Sequence, residues 1–129
     1  MAFRIPFLSV TALSGVLAFG TAFAGPAVTP LVDSDWLADH LDNQDLVVLD
    51  VRSAIDGTDA EGFAAGHIPG AVYASYTGAG WRVTDGAVPG VLPSVDRLET
   101  LIGGLGIDND DSVVVVPAGV GSTDFGSAA

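Results

Sequence analysis

The sequence contains few side chains that could carry out covalent chemistry. Its 129 residues include two histidines and no cysteine. The absence of cysteine excludes disulfides, zinc sites built on thiolates, iron–sulfur clusters and a thiol nucleophile. No second histidine or carboxylate lies at metal-ligand spacing from His67, and His40 falls in a separate predicted helix. We therefore expect no catalytic residue, no metal ion and no cofactor in this chain.

One acidic run, Asp108–Asp111, hints at a cation. Its sequence, Asp-Asn-Asp-Asp, supplies oxygen ligands of the kind that calcium prefers. The glycine and the final glutamate of an EF-hand loop are missing, however. A solvated turn is therefore the favoured interpretation of this run.

The charge balance of the chain is strongly acidic. Sixteen aspartates and glutamates face four basic residues, which gives a formal net charge of −12. The basic residues are all arginines: Arg4, Arg52, Arg82 and Arg97. Such a surface repels nucleic-acid phosphates and anionic lipids, so we expect neither nucleic acid nor a membrane surface as a partner. We interpret the acidity as a source of solubility.

Residues 1–24 have the features of a secretory signal peptide. Arg4 supplies the positive start, and the apolar stretch Ile5–Phe19 is shorter than the roughly 20 residues of a membrane span. Ala22-Phe23-Ala24 then offers small residues at the cleavage site. The competing interpretation is a buried or membrane-anchoring helix, which Pro6 and other weak helix formers in the stretch disfavour.

Cleavage after Ala24 would leave one domain of ordinary size, residues 25–129. We predict export to a periplasm or to the exterior, with no stable membrane insertion after cleavage. The mature chain would carry sixteen acidic residues against three arginines, a formal charge of −13.

Apolar runs typical of strands alternate with segments of helical spacing along the rest of the chain. Leu46–Val51 and Ser112–Val116 are nearly continuous apolar runs, a pattern that suits parallel strands covered on both faces. Strands that alternate with helices predict an α/β domain with a parallel sheet. The glycine-rich stretch Thr77–Leu92 is interpreted as a loop. The predicted strands are Thr29–Val32, Leu46–Val51, Ala71–Tyr73 and Ser112–Val116, and the predicted helices are Ser34–Leu41, Asp59–Ala65 and Ser94–Leu105.

A second glycine-containing segment carries the signals of a helix end followed by a tight turn. Gly66 is expected to end the short helix with a positive φ, which glycine adopts at low cost. Pro69-Gly70 suits a type II turn, because proline presets its first central residue. We expect His67 to anchor this turn through hydrogen bonds, and the alternative is a catalytic base or ligand. Arg52 is expected to pair with a nearby acid such as Glu61 or Asp59 rather than with a substrate.

Three landmarks, in this order, resemble the rhodanese-type sulfurtransferase family. Leu49-Asp50-Val51-Arg52 is similar to the family's Asp-x-Arg motif, and Gly66–Ala71 reads Gly-His-Ile-Pro-Gly-Ala. Leu92-Pro93-Ser94 then opens a helix that ends in Leu105-Gly106-Ile107, before the valine-rich strand. The insertion Asp56–Ala60 further resembles the amino-terminal half of two-domain members. The spacing of the landmarks is similar to the family's from about residue 31 onward.

The resemblance implies a three-layer α/β/α fold whose parallel sheet has the strand order 3-2-4-5-1. The chain supplies candidates for the first four strands and none for the fifth. We therefore expect a domain that is truncated at its carboxyl end and lacks the fifth strand. The edge of Ser112–Val116 would then be exposed, so the isolated chain is expected to aggregate or to be poorly ordered.

The resemblance also implies an activity, but this chain lacks the cysteine that the activity requires. Rhodaneses transfer sulfane sulfur from a donor such as thiosulfate to cyanide or a thiol, through a cysteine that follows the fourth strand. That position falls at about Pro117, which has neither a thiol nor an N–H group. Ser122 and Thr123 are the nearest hydroxyls, but a hydroxyl cannot form a persulfide and no base is adjacent to activate one.

In two-domain family members the amino-terminal domain is typically inactive and the second domain carries the cysteine. The resemblance therefore implies that this chain is the non-catalytic domain of an exported sulfurtransferase, with a catalytic rhodanese domain as its partner. Trp81 and Arg82 could contribute to the cleft between them, or could simply fill an exposed loop. The alternative is a cysteine-free rhodanese-like binding module without catalytic activity. The motif residues are then structural: Asp50, Arg52, Gly66, His67, Pro69 and Gly70.

Overall fold

The computed structural model describes residues 31–119 and Ser122. The signal-peptide prediction for residues 1–24 lies outside these residues. The helices are α1 (Ser34–His40), α2 (Ala60–Ala65) and α3 (Val95–Gly104), with a 3₁₀ turn at Ala54–Asp56. The strands are β1 (Leu46–Asp50), β2 (Val72–Tyr73), β3 (Val83–Asp85), β4 (Val88–Val91) and β5 (Ser112–Val116).

A parallel three-stranded sheet with the order β2-β1-β5 forms the centre of the domain. β1 pairs with β5 along its whole length, with Leu46 opposite Ser112 and Asp50 opposite Val116. β2 pairs with the last two residues of β1 on the other side. The predicted α/β class with a parallel sheet is confirmed, and this order is the 3-2-4 part of the rhodanese-type pattern.

Side-chain caps fix the beginnings of the first two helices. The Asp33 carboxylate accepts a hydrogen bond of 2.7 Å from the Trp36 N–H at the start of α1. At the start of α2, the Asp59 carboxylate accepts from the Glu61 N–H at 2.9 Å. Each carboxylate satisfies a backbone donor that the first turn leaves free, and suits the positive end of the helix dipole.

The largest cluster of buried residues lies at the carboxyl end of β1, and Val48 of β1 and Leu37 of α1 are also buried. Leu49, Val51 and Ala74 form this cluster. The strong apolar pattern of β1 thus predicts a buried strand correctly. The expectation of two covered faces is wrong for β5, where Val113 is 38% exposed, because β5 is the edge strand of the sheet that the structure describes. Partly buried apolar residues that pack on this core are Tyr76, Ala79, Trp81, Leu105 and Val115.

The prediction of a loop over Thr77–Leu92 is wrong in its second half. β3 and β4 form an antiparallel hairpin, joined by Gly86 and Ala87. The pairing shifts by one residue between its two ends, as in a β-bulge, and Pro89 lies in the shifted strand. Proline is tolerated at such a bulge because it does not need to donate a ladder hydrogen bond there.

The predicted first strand, Thr29–Val32, is not formed by its described residues. Leu31 and Val32 are not in a strand, and Leu31 is 82% exposed. Thr29 and Pro30 lie outside the described residues. A short apolar segment becomes a strand only when a neighbour supplies hydrogen bonds, and no strand within residues 31–119 pairs with this one. Over the same part of the chain, no helix is long and apolar enough to cross a bilayer.

Candidate functional site

The carboxyl end of β1 carries a tightly bonded ion pair. Asp50 is 1% exposed and Arg52 is 18% exposed. The two carboxylate oxygens of Asp50 accept from Arg52 Nε at 2.9 and 3.0 Å and from Nη2 at 2.7 Å. The Arg52 backbone N–H also donates to Asp50 Oδ1, at 3.1 Å. The planar guanidinium matches the carboxylate geometry, so the pair is both strong and fixed in orientation.

The expectation that Arg52 pairs with a local acid is confirmed, but the acid is Asp50 rather than Glu61 or Asp59. The structure pairs Arg52 with Asp50, whereas Asp59 caps α2. Residues two apart in an extended segment share a face, and this spacing could have identified Asp50 from the sequence.

Arg52 also joins β1 to the end of α2. Its Nη1 group donates to the backbone oxygens of Gly62 and Gly66, each at 3.1 Å. These carbonyls lie at the negative end of the helix, where a cation is favourable. The guanidinium carbon also lies 5.8 Å from the centre of the Phe63 ring. Four of the five N–H donors of a guanidinium are thus engaged, which leaves little capacity for a substrate.

The hydrogen bonds to Asp50 raise the pKa of Arg52 above its ordinary, already alkaline value. The side chain therefore remains charged wherever the protein is folded. A permanently charged, internally bonded arginine can hold a structure together but cannot exchange protons with a substrate.

Gly66 ends α2 as predicted, but its backbone conformation differs from the expected one. Its φ is −179°, which is extended backbone that other residues also adopt, so the predicted positive φ is wrong. Its N–H bonds to the oxygens of Gly62 and Phe63, and its own oxygen accepts from Arg52. The role of Gly66 is thus to present a carbonyl to Arg52.

The turn that follows has the geometry expected for Pro69-Gly70. The Ala71 N–H donates to the Ile68 oxygen at 3.0 Å, and Gly70 has a φ of +78°. A positive φ at the second central residue is the mark of a type II turn. The turn leads directly into β2, which pairs with the end of β1.

His67 lies against the end of α2 and not within a catalytic group. Its ring stacks on Phe63, with 4.0 Å between ring centres and 17° between planes. Its Nδ1 atom is 2.9 Å from the Phe63 backbone oxygen. A carbonyl only accepts, so Nδ1 carries the proton. His67 therefore anchors the connection between α2 and the turn.

No candidate metal cluster appears among the residues that the structure describes. No group of three or more His, Cys, Asp or Glu side chains is close enough there to hold an ion. Within the acidic run, an Asp111 carboxylate oxygen accepts from the Asp108 N–H at 2.7 Å. This bond closes a local turn at the start of β5.

The segment after β5 continues from the carboxyl edge of the sheet, beside the end of β1. The Val51 N–H donates to the Val116 oxygen at 2.9 Å, and Pro117 follows directly. Farther along, the N–H and the hydroxyl of Ser122 both bond to the Gly119 oxygen, at 3.1 and 2.6 Å. The Ser122 hydroxyl is thus tied to backbone. The other hydroxyl considered from the sequence, that of Thr123, lies outside the described residues.

A second feature of this edge is an apolar hollow beside the loop that follows β2. The Trp81 ring N–H donates to the Ala74 oxygen at 3.1 Å, which fixes the indole over the sheet. Arg82 donates from Nη1 to the Trp81 oxygen at 3.0 Å, and its guanidinium lies 6.0 Å from the Tyr76 ring centre. Trp81 and Arg82, two residues singled out in the sequence, thus line one hollow of this chain. The hollow has a volume of about 170 Å³ and is lined by Leu49, Val51, Tyr76, Trp81, Arg82 and Val115.

Sequence reasoning missed one buried polar group near this edge. Ser53 is fully buried, and its hydroxyl has no hydrogen-bond partner among the described residues. No periodicity or motif in the sequence marks this residue, because serine is common in exposed turns.

Comparisons with known proteins agree with the geometry. The family model for the rhodanese-like domain matches residues 33–128. A Synechococcus elongatus protein provisionally named a thiosulfate sulfurtransferase is 34% identical over 108 residues, 84% of this chain and 31% of that protein. The 3-mercaptopyruvate sulfurtransferase of Escherichia coli is 29% identical over 97 residues, 72% of this chain and 34% of the enzyme.

A plant protein gives a similar result. The thiosulfate/3-mercaptopyruvate sulfurtransferase 2 of Arabidopsis thaliana is 33% identical over 89 residues, 67% of this chain and 25% of that protein. The chain thus spans about a third or less of the length of each of these relatives. No solved structure gives a significant match. The matched family model, which covers most of the sequence, together with the parallel sheet and its Asp-x-Arg ion pair, shows that the chain belongs to the rhodanese-like domain family.

Proposed function

We propose that this chain is the amino-terminal, non-catalytic rhodanese-like domain of an exported sulfurtransferase. The observation that carries the proposal is the lack of cysteine in all 129 residues of a domain whose relatives are sulfurtransferases. Pro117 occupies the position directly after β5, where the resemblance places the family's nucleophile.

Sulfur transfer from thiosulfate needs an ionisable sulfur atom. A thiolate attacks the outer sulfur of thiosulfate, sulfite leaves with the electron pair of the broken S–S bond, and a persulfide remains. The acceptor then attacks the outer sulfur and regenerates the thiolate, which is the nucleophile in such exchanges. Pro117 has no nucleophilic atom, and the Ser122 hydroxyl is bonded to a backbone carbonyl. This chain therefore needs a catalytic partner.

The role that remains is structural support for the catalytic partner domain. The hydrogen bonds of Asp50 and Arg52 join β1 to the end of α2. Trp81 and Arg82 lie on the loop that borders the carboxyl edge of the sheet. In open α/β sheets this edge is the usual place for a ligand crevice. We therefore propose that this edge forms one wall of the catalytic partner's cleft.

A thiosulfate:cyanide assay tests the proposal on two samples. The 129-residue chain should form thiocyanate no faster than buffer, and the full-length product of the gene should form it at an enzymatic rate. Loss of that rate on replacement of a cysteine outside this domain would locate the nucleophile. Enzymatic turnover by the 129-residue chain alone would overturn the proposal.

The second candidate function is a binding module without a catalytic partner. The position of Arg82 beside an apolar hollow favours it, since such a site suits an anionic partner. The coding sequence after residue 129 discriminates between the two. A second rhodanese pattern with a cysteine after its valine-rich strand supports the sulfurtransferase, whereas unrelated sequence or a stop codon supports the binding module.

Export is proposed from the sequence of residues 1–24, with a periplasmic or secreted product. Amino-terminal sequencing of the protein isolated from its host tests this directly. A mature chain that begins at Gly25 is expected, whereas a product that still begins at Met1 would exclude a cleaved signal peptide.

A further inference from the structure

The outer side of β5, which faces away from β1, is an unpaired edge of the sheet within residues 31–119. The Ser112 N–H donates to the Asp45 oxygen at 2.7 Å, so the backbone groups of Ser112 point toward β1. Backbone groups of successive residues in a strand point to opposite sides. The N–H and oxygen groups of Val113 and Val115 therefore point outward, where no described strand receives them.

The side chains along this edge also favour a further strand. Val113 is 38% exposed, and Val115, on the same face of β5, packs partly on the core. A strand with valines opposite these two would gain cross-strand contacts as well as backbone hydrogen bonds. The edge therefore suits an extended, β-branched segment, and β5 itself is a segment of this kind.

Charge indicates the direction in which a second copy of β5 would fit. The acidic turn Asp108–Asp111 precedes β5, whereas Arg82 lines the same hollow as Val115, near the other end of the strand. Parallel pairing would place two acidic turns side by side, which is unfavourable in a chain of net charge −12. Antiparallel pairing instead brings the acidic turn of one copy to the end of β5 at which Arg82 of the other copy lies.

We propose that β5 pairs with β5 of a second copy of this chain, antiparallel and centred on Val114, in a symmetric dimer. Val113 of each copy then lies opposite Val115 of the other, and about four backbone hydrogen bonds join the two strands. A ladder of five residues is a small interface, so the dimer is expected to be weak. The contact is independent of the proposed function, which concerns the carboxyl ends of the strands.

Sedimentation equilibrium of the full 129-residue chain tests the association. Over roughly 10–500 µM the mean mass should rise from that of one chain and level off at that of two, because twofold symmetry pairs both free edges. A mass that stays at one chain would overturn the proposal and assign the edge of β5 to another segment of the same chain. A mass that grows beyond two chains would overturn it as well, because a symmetric pair is closed.

Replacing Val113 separates the outer side of β5 from the side that bonds β1. Val113→Pro removes an outward N–H and leaves the ladder between β5 and β1 in place. Each dimer would lose two of its hydrogen bonds, so the association constant should fall at least about tenfold. The matched change Val113→Thr keeps the N–H and the branched shape, and it should dimerise as the parent chain does. Equal association of the two variants would contradict pairing through this edge.

Cysteine cross-linking tests the register and does not require the chain to tolerate proline. In the proposed dimer the two Val114 Cα atoms lie about 4.5 Å apart, within the range that a disulfide spans. The two Ser112 residues, on the same face of β5, lie roughly 14 Å apart. Since the chain has no cysteine of its own, Val114→Cys should oxidise to a disulfide-linked dimer much faster than Ser112→Cys. Equal rates for the two variants would overturn the proposed pairing.

Discussion

At the scale of single residues, the Asp-x-Arg motif is explained by structure rather than by chemistry. Arg52 neutralises Asp50, which is almost fully buried, and also bonds two carbonyls at the end of α2. An unpaired charge in that position would be costly, so both residues are needed together. The motif therefore reports how β1 is joined to its neighbour, and its presence does not imply a working active site.

Arg52→Lys should lower the free energy of unfolding by about 1–3 kcal/mol, because an ammonium cannot bond the carboxylate and both carbonyls at once. The pKa of Arg52 is raised in the folded state, so its contribution is fully present below its ordinary, strongly alkaline value. Urea unfolding at pH 6 to 9 should therefore show the same loss at each pH. The matched change Arg97→Lys, on the exposed surface of α3, should cost much less. Equal losses for both variants would contradict this role.

Two glycines of the Gly-His-Ile-Pro-Gly-Ala run should differ in how much stability is lost on replacement by alanine. Gly66 is extended, and an added Cβ would meet no atom within 4 Å, so Gly66→Ala should change stability by less than about 0.5 kcal/mol. Gly70 also has open space, but its φ of +78° strains any side chain. Gly70→Ala should cost about 1–2 kcal/mol, as measured by urea unfolding. A larger loss at Gly66 than at Gly70 would refute this assignment.

At the scale of elements, the helix α2 positions the carbonyls that Arg52 binds. It has only six residues, so its stability depends on its ends. Asp59 holds the first turn through bonds to the N–H groups of Glu61 and Gly62, and Arg52 holds the last turn. A negative side chain thus holds the first turn of α2 and a positive side chain holds its last turn. The helix dipole favours this arrangement of charges.

Asp59→Ala should lower the free energy of unfolding by about 1 kcal/mol, through loss of the cap. Asp59→Asn keeps an oxygen acceptor and is expected to be nearly neutral. Amide exchange of the α2 backbone should speed up in the alanine variant and not in the asparagine variant. Similar exchange rates in both would show that the cap does not limit fraying of α2.

The elements that sequence reasoning located are those with a strong local signal. β1 and β5 are apolar runs, and α3 has an apolar face, so each was placed within about two residues. The hairpin of β3 and β4 was missed because the glycines and Pro89 are typical of loops, and only pairing across the bulge makes them a sheet. The contacts of Arg52 with α2 join residues 10 and 14 positions apart, which no local pattern encodes.

At the scale of the whole molecule, the sheet brings two acidic turns together at the amino ends of its strands. β1 and β5 begin side by side, with Leu46 opposite Ser112, and the Ser112 N–H donates to the Asp45 oxygen at 2.7 Å. The acidic turns that precede these strands therefore meet at the amino edge. At the carboxyl edge lie the paired Arg52 and the loop of Arg82. In a chain of net charge −12, we expect these two adjacent acidic turns to repel each other.

This electrostatic repulsion predicts how added salt changes the Tm of the chain. Sodium chloride shortens the Debye length from about 30 Å at 0.01 M to less than 8 Å at 0.3 M, so Tm should rise by roughly 2–6 °C over that range. Asp45→Asn should raise Tm at low salt and reduce the salt effect, because Asp45 is exposed at the point where the two acidic turns meet. Asp85→Asn removes the same charge from the exposed hairpin, and it should change neither the Tm at low salt nor the salt dependence of Tm.

If both variants behaved alike, net charge alone would account for the repulsion. A Tm that falls on addition of salt would mean that attractive charge pairs dominate the surface.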